Sequence, residues 1–318
     1  TGWMYGMEAL VVTATDRLPP LFLVGNRALD DPGAFGVEHN DAMSIRDMGW
    51  LICWASTAQE ALEHVLIGYR IAEDKRGRMP MALAMDGGFL THAQHMVKVP
   101  TLEAVKQFLP PYDLGDRVLH PDNPISVAPQ VNEDWVIELR RQNWEAARRA
   151  RKVIKEAYQE FNGIFGSHGS QYDNPYFSEF MTEDAEAVLI GIGAVCMPTR
   201  TAVRRMREKG HKVGYVNLRW FRPFPTEELR ACLGRVKGVG VIDRDFSHGS
   251  PDDGGILMND VRACLYPLRD RPNVINIMGG LGGRDISIDE CINMYERTIE
   301  VARGHVPAEL VSWTGLRE

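Results

Sequence analysis

The chain of 318 residues has 36 lysines and arginines against 43 aspartates and glutamates, and its formal net charge is −7. This acidic balance argues against a nucleic-acid-binding protein, because such proteins normally carry a basic surplus. Hydrophobic residues make up 44% of the chain, which fits an ordinary globular protein, and the length predicts two domains. No apolar run approaches the ~18 residues needed to cross a bilayer. We therefore expect neither nucleic-acid nor membrane binding.

The start of the chain shows no targeting segment. Residues 1–5 (TGWMY) lack the basic residues and the apolar core of a secretory signal. They include no initiator methionine and resemble the interior of a helix. We therefore expect the sequence to begin partway through a longer polypeptide.

The cysteines are odd in number and widely spaced, and no CxxC pair occurs. Iron–sulfur or zinc ligation brings several thiolates to one point, usually through short repeats. The pattern therefore predicts no metal site in this chain and favours reduced, mostly buried thiols in a cytoplasmic protein. The five residues are Cys53, Cys196, Cys232, Cys264 and Cys291.

Helix and strand patterns alternate along the first half of the chain. A helix is predicted at 4–14, and apolar strands are predicted at 21–24, 50–54 and 81–85. Ser56 or Thr57 caps an amphipathic helix between the last two strands. The proline-rich stretch 97–129 suggests an extended arm, followed by a long helix at 135–161 and a linker at 163–175. This βαβα order predicts a parallel sheet with helices on its faces.

The second half predicts a compact α/β unit. Strands are expected at 187–192, 213–218, 239–243 and 274–278, with helices at 198–209 and 256–265 between them. Pro225 fits the first turn of a helix, and Ser287 with Glu290 forms a capping box for the final helix. We therefore predict two domains, residues 1–182 and 183–318.

Ligands of open α/β sheets sit beyond the carboxyl ends of the strands, and this rule selects the loops 25–36 and 86–92. Arg27 follows a buried strand, where its guanidinium could hold a carboxylate through two hydrogen bonds. The pattern alone favours an alternative, a salt bridge to Asp30, Asp31 or Asp41. Paired aspartates before Pro–Gly are also ordinary turn residues.

Other polar residues and glycines have structural interpretations as well. His39 with Asp41 is more typical of a hydrogen-bonded structural pair than of a catalytic one, and Asp86 before two glycines is a turn signal ahead of His92. The run 191–193 (GIG) resembles a dinucleotide fingerprint, but Cys196 replaces its third small residue, which argues against NAD. The glycine-rich loop 279–285 could bind an anion, although close packing is favoured.

Six segments in chain order resemble the alpha chains of 2-oxoacid:ferredoxin oxidoreductases. They are 26–29 (NRAL), 39–50 (HNDAMSIRDMGW), 86–92 (DGGFLTH), 108–112 (FLPPY), 219–225 (RWFRPFP) and 280–285 (GLGGRD). The resemblance implies an N-terminally incomplete, thiamine-diphosphate-binding-type parallel-sheet domain. A transketolase C-terminal-like α/β domain would follow it.

The resemblance also implies cofactors and partners. Thiamine diphosphate, Mg²⁺ and four-iron four-sulfur clusters would be held mainly by beta and gamma- or delta-type subunits of the same complex, and ferredoxin would accept the electrons. The glutamate that activates the cofactor would lie before Thr1. A chain of this kind could not catalyse the reaction by itself, and a dimer of heterotrimers is expected.

Carried over by motif, Arg27 would bind the substrate carboxylate. The loop that follows carries Asp30, Asp31 and Phe35 where pyruvate-using relatives have an apolar stretch, and it most resembles that of oxalate oxidoreductases. We therefore predict that Arg27, Asp30 and Asp31 bind substrate. Asp30 and Phe35 would act catalytically as the loop alternates between two positions, with Asp30 promoting the second CO₂ loss. The alternatives are pyruvate or another 2-oxoacid as substrate, or a structural subunit that never touches substrate.

Overall fold

The structure, a computed structural model, describes residues 2–30, 32–115, 117–166 and 172–317. The helices of these residues are α1 (Gly2–Tyr5), α2 (Met7–Thr15), α3 (Asn40–Met43), α4 (Ala58–Ala72), α5 (Leu102–Phe108), α6 (Asn132–Phe165), α7 (Cys196–Glu208), α8 (Thr226–Leu233), α9 (Ile256–Leu265) and α10 (Ile288–Ala302). The strands are β1 (Leu21–Asn26), β2 (Leu51–Ala55), β3 (Met81–Asp86), β4 (Phe177–Phe180), β5 (Ala187–Ile192), β6 (Val213–Leu218), β7 (Trp220–Arg222), β8 (Gly238–Asp243), β9 (Asn273–Met278) and β10 (Val311–Trp313).

The first sheet has the strand order β1-β3-β2-β7. Strands β1, β3 and β2 are parallel, while β7 runs antiparallel to β2. All five residues of β2 are buried, which explains why it is apolar throughout and does not alternate. The register places Asn26 beside Asp86 and Ala55 beside Met85, so three strands end together at one edge.

The second sheet has the order β10-β9-β8-β5-β6-β4, in which only β4 runs antiparallel. Its central strands β5, β6 and β8 are buried along their whole length. Two successive, mainly parallel sheets with helices packed on them confirm the predicted α/β class.

Helix caps are largely where the side chains predict them. Thr57 accepts a hydrogen bond from the Glu60 amide at the start of α4, and Ser287 with Glu290 forms the capping box of α10. The predicted arm at 97–129 contains one helix that the sequence reasoning missed, α5, capped by Thr101. In the parts of the chain that the structure describes, no helix has both the length and the apolar composition needed to cross a bilayer.

The domain boundary at 182/183 stays a prediction, and two strands pair with the sheet on the opposite side of it. Strand β4 precedes the boundary but pairs with β6 in the second sheet, and β7 follows it but pairs with β2 in the first. One continuous hydrophobic core contains buried residues of both sheets. The two bodies therefore share packing as well as sequence order.

Candidate functional site

Strand ends from both sheets meet at one polar edge. Asn26 and Asp86 end neighbouring strands of the first sheet, and Asp243 ends β8 of the second. A cavity of about 520 Å³ opens here between the two bodies, and its lining includes Phe89, Val195, Arg244 and Ile286. The location agrees with the rule that ligands of parallel sheets bind beyond the carboxyl ends of the strands.

Asp41, at the start of α3, fixes the end of β1. Its Oδ1 accepts hydrogen bonds from Asn26 Nδ2 and the Ala42 amide, both at 2.6 Å, and its Oδ2 accepts one from the Arg27 amide at 3.1 Å. Asn26 is held in turn by Trp54 Nε1, at 2.9 Å. Burial raises the pKa of Asp41, and the three donors offset only part of that rise.

The loop that starts at Arg27 closes on itself within ten residues. The Ala28 amide donates to the Gly36 carbonyl at 3.1 Å. Burial raises the pKa of Glu38, which lies two residues further along. The segment that enters the loop is therefore tied to the segment that leaves it.

The structure brings two of the predicted site residues together. The guanidinium carbon of Arg27 lies 5.8 Å from the centre of the Phe35 ring, within the range of a cation–π contact. Phe35 is 80% exposed and Asp30 is also exposed, so both face solvent beyond the edge. Asp31 lies outside the described residues. The roles assigned to these four residues stay predictions.

A buried ion cluster forms around Asp86. Its Oδ1 lies 3.0 Å from His39 Nε2, and its Oδ2 accepts hydrogen bonds from Arg244 at 2.9 Å and from the Ala194 amide at 2.8 Å. Burial alone would raise the pKa of Asp86, but His39, Arg244 and the amide hold it below its usual value. Gly193 makes this approach possible, since a Cβ there would lie 2.5 Å from Asp86 Oδ1.

This cluster corrects two details of the sequence interpretation. His39 is a structural partner, as expected, but its carboxylate is Asp86 and not Asp41. Asp86 is a buried charge as well as the residue before a turn, and His92 lies exposed on that turn. Arg244 and Glu38 were missed, although Arg244 directly follows β8 and the strand-end rule would have selected it.

The glycine-rich loop after β9 packs against the loop that starts at Arg27. A Cβ on Gly36 would lie 2.3 Å from the Gly283 Cα, and the Gly283 amide donates to the Val37 carbonyl at 3.2 Å. This confirms the predicted role of the glycines in close packing. The contact joins loops of the two sheets directly.

Across residues 2–30, 32–115, 117–166 and 172–317, no group of three or more His, Cys, Asp or Glu side chains is arranged to hold a metal ion. All five cysteines are buried and none forms a disulfide.

Two family models match the chain. The model of the thiamine diphosphate-binding region of pyruvate flavodoxin/ferredoxin oxidoreductases covers residues 1–159. The model of pyruvate:ferredoxin oxidoreductase core domain II covers residues 185–291.

Individual relatives agree with these models. The chain is 33% identical over 314 residues to the pyruvate synthase subunit PorA of Pyrococcus horikoshii, covering 98% of this chain and 77% of the relative. It is also 33% identical to the ketoisovalerate oxidoreductase subunit VorA of Pyrococcus abyssi, and that match covers 98% of this chain and 76% of the relative. A solved 2-oxoglutarate:ferredoxin oxidoreductase from Magnetococcus marinus has a similar fold, with a TM-score of 0.55 at 15% identity. The match covers 94% of this chain and 52% of that one, so the chain spans about half of its length.

Two parallel-sheet bodies that share a polar strand-end edge define an α/β protein of the thiamine-diphosphate-binding class. Within this class, the chain belongs to the 2-oxoacid:ferredoxin oxidoreductase family, among its alpha-type subunits. It is thus an oxidoreductase subunit.

Proposed function

We propose that this chain is the alpha subunit of a thiamine diphosphate-dependent complex that oxidatively decarboxylates a small 2-oxoacid. Electrons would pass to ferredoxin through four-iron four-sulfur clusters in beta and gamma- or delta-type partner subunits. The observation that carries the proposal is the placement of Arg27. Its backbone is fixed at the strand-end edge, and its guanidinium lies beside the exposed Phe35 ring. A cytoplasmic location remains our expectation, supported by the five unpaired cysteines.

The side chains at the edge fit the substrate end of such a cofactor. A carboxylate bound by Arg27 would lie near the Phe35 ring, because the guanidinium carbon lies over that ring at 5.8 Å from its centre. The described residues offer no cluster for Mg²⁺, so we assign the metal and the diphosphate to a partner subunit. When bound, thiamine diphosphate supplies the electron sink for decarboxylation, while this chain supplies orientation and charge.

The first candidate substrate is a 2-oxoacid in which the carbonyl carbon carries a small or apolar group next to the carboxylate. The relatives are named for pyruvate and ketoisovalerate, and none of the names given above refers to oxalate. Oxalate is a second candidate, and the loop favours it. Asp30 stands three residues after Arg27, where a carboxylate has no evident purpose beside a methyl group but could oppose the second carboxylate of a dianion.

Substrate-dependent reduction of a low-potential viologen by the native complex, under anaerobic conditions, tests the proposal. Pyruvate, ketoisovalerate and oxalate are compared at equal concentrations, with the isolated chain as a control that should stay inactive. Reduction with pyruvate or ketoisovalerate supports the first candidate and makes Asp30 an ordinary turn residue. Reduction with oxalate alone supports the second. No reduction with any 2-oxoacid would contradict the proposed function.

A further inference from the structure

We propose that Gly282 and Gly283, in the glycine-rich loop that follows β9, are positioning residues for Phe35. Their backbone packs against the chain on both sides of Phe35 and so sets where its ring lies beside the Arg27 guanidinium. The inference rests on the proposed function, in which Arg27 binds the substrate carboxylate. It gives a loop of the second sheet a part in substrate binding, although neither glycine touches substrate itself.

The two glycines lie directly against the residues that flank Phe35. A Cβ on Gly283 would lie 2.6 Å from the Gly36 Cα, and a Cβ on Gly282 would lie 3.2 Å from the Ala34 Cβ. Both glycines also have positive φ, 63° for Gly282 and 83° for Gly283, which other residues adopt only with strain. The chain beside Phe35 therefore lies against the backbone of another loop, and a side chain at position 283 would push it away.

Backbone hydrogen bonds hold the chain that follows Phe35 to the second sheet. The Gly283 amide donates to the Val37 carbonyl at 3.2 Å. The His39 amide donates at 2.8 Å to the carbonyl of Arg244, directly after β8. The glycine contact is therefore the first of several links between this chain segment and the second sheet.

Asn40 adds a further link through its side chain. Its Nδ2 donates to the Phe246 carbonyl at 2.8 Å, and its Oδ1 accepts a hydrogen bond from the Phe246 amide at 3.0 Å. Both hydrogen bonds go to backbone groups just beyond β8, so they do not depend on the side chain of Phe246. Substitution of Asn40 can remove them without adding volume to the contact.

Arg27 is anchored on the first sheet instead. It directly follows β1, and the carbonyl of the preceding residue, Asn26, accepts a hydrogen bond from the Gly87 amide at 2.9 Å. The 5.8 Å between the guanidinium carbon and the Phe35 ring centre therefore depends on how loops of both sheets pack together. Misplacing a binding group by about 1 Å can cost a large factor in rate, so this packing has functional weight.

Gly210 offers a matched control for Gly283. It has nearly the same φ, 86° against 83°, but no heavy atom lies within 4 Å of the Cβ that alanine would add. It precedes β6, at the end of the second sheet opposite to the strand-end edge. Alanine is strained by the positive φ at either position. Only Gly283→Ala adds a collision with the chain beside Phe35.

Steady-state kinetics of the assembled complex, with the substrate identified by viologen reduction, test the inference. Gly283→Ala should raise KM about three- to tenfold and leave kcat within about threefold, because a displaced loop weakens binding first. Gly210→Ala should keep both constants within about twofold of wild type. Equal impairment of the two variants would overturn the inference, since backbone strain and not the contact would then be responsible.

Asn40→Ala keeps the test decisive if Gly283→Ala fails to assemble. It loosens the same chain segment by removing two hydrogen bonds, and it should raise KM about two- to fivefold. An unchanged KM in Asn40→Ala would then overturn the inference.

Hydrogen–deuterium exchange gives a readout that is independent of activity. The peptide covering residues 34–43 should exchange faster in Gly283→Ala than in wild type or Gly210→Ala, because the His39 amide is pushed away from its acceptor. Exchange in β5, which lies in the centre of the second sheet, should not change. An unaltered exchange rate in residues 34–43 of Gly283→Ala would also overturn the inference.

Arg27→Ala separates failure of the inference from failure of the proposed function. Loss of a charge-assisted contact should raise KM at least about tenfold. If Arg27→Ala has no effect, the proposed role of Arg27 is wrong. If Arg27→Ala raises KM but Gly283→Ala does not, Arg27 keeps its role and the positioning inference alone is overturned.

Discussion

Asp30 differs from the other carboxylates of the site in its exposure. Asp41 and Asp86 are buried and receive several hydrogen bonds from the protein, whereas Asp30 lies exposed on the loop that carries Arg27. A buried carboxylate surrounded by donors acts on the fold, because its lone pairs are already used. An exposed carboxylate on the loop that we propose to bind substrate could act on the substrate instead.

Asp30→Ala is therefore a residue-scale test of the two substrate candidates. With oxalate, removing the opposing charge should lower kcat and leave KM little changed, since Asp30 would act on the decarboxylation step and not on binding. With pyruvate, both constants should stay within about twofold. Steady-state viologen kinetics measure both, with Asp122→Ala on the exposed arm as a matched control. A large loss with pyruvate would contradict this account of the loop.

The packing of α4 against α6 depends on a neutral histidine. His64 Nδ1 lies 2.6 Å from the Glu60 carbonyl, and its Nε2 lies 2.5 Å from the Tyr158 hydroxyl. Because a carbonyl can only accept, Nδ1 carries the proton and Nε2 accepts from Tyr158. Burial lowers the pKa of His64 to about 4.

This pKa predicts how stability changes with pH. Between pH 6.5 and 4 the unfolded chain binds a proton at His64 and the folded chain does not. The free energy of unfolding should therefore fall as the pH drops through this range, by about 3 kcal/mol from this group, and should level off below it. Chemical denaturation at several pH values measures the slope. The slope should be smaller in His64→Gln, which lacks the buried imidazole. The control His92→Gln changes an exposed histidine and should keep the wild-type slope. Equal slopes in the wild type and both variants would contradict the prediction.

Elements with long apolar runs could be predicted from sequence, and short edge elements could not. Strands β2 and β5 are buried on both faces, so their composition alone marks them. Strand β7 has only three residues, and its place depends on pairing with β2 from the other half of the chain. Arg27 and Phe35 share one loop and could be grouped in advance. The strand-end rule can select Asp86 and Arg244 separately, but their pairing joins residues 158 positions apart, and no local pattern reveals it.

At the scale of the whole molecule, the pair of Asp86 and Arg244 links the two sheets. Both side chains are almost completely buried, with exposures of 0% and 3%. Their desolvation makes the intact pair a weak source of stability, but removing one partner leaves an uncompensated buried charge.

Asp86→Ala should therefore lower the free energy of unfolding by about 3–5 kcal/mol. Glu186→Ala, which breaks an exposed pair with Lys237 at 3.3 Å, is the matched control and should cost less than about 1 kcal/mol. Denaturant titration compares the two variants with wild type. A similar small loss in both would mean that Asp86 contributes no more than a surface charge.

The position of strand β7 in the chain delays completion of the first sheet while the protein is being synthesised. Its partner β2 is translated roughly 10–30 s earlier, so for that interval the first sheet has an edge with unsatisfied backbone groups. Most multidomain chains complete one domain before the next emerges. Here the first sheet gains its last strand only after β4, β5 and β6 have left the ribosome, so the nascent chain matures as a single unit.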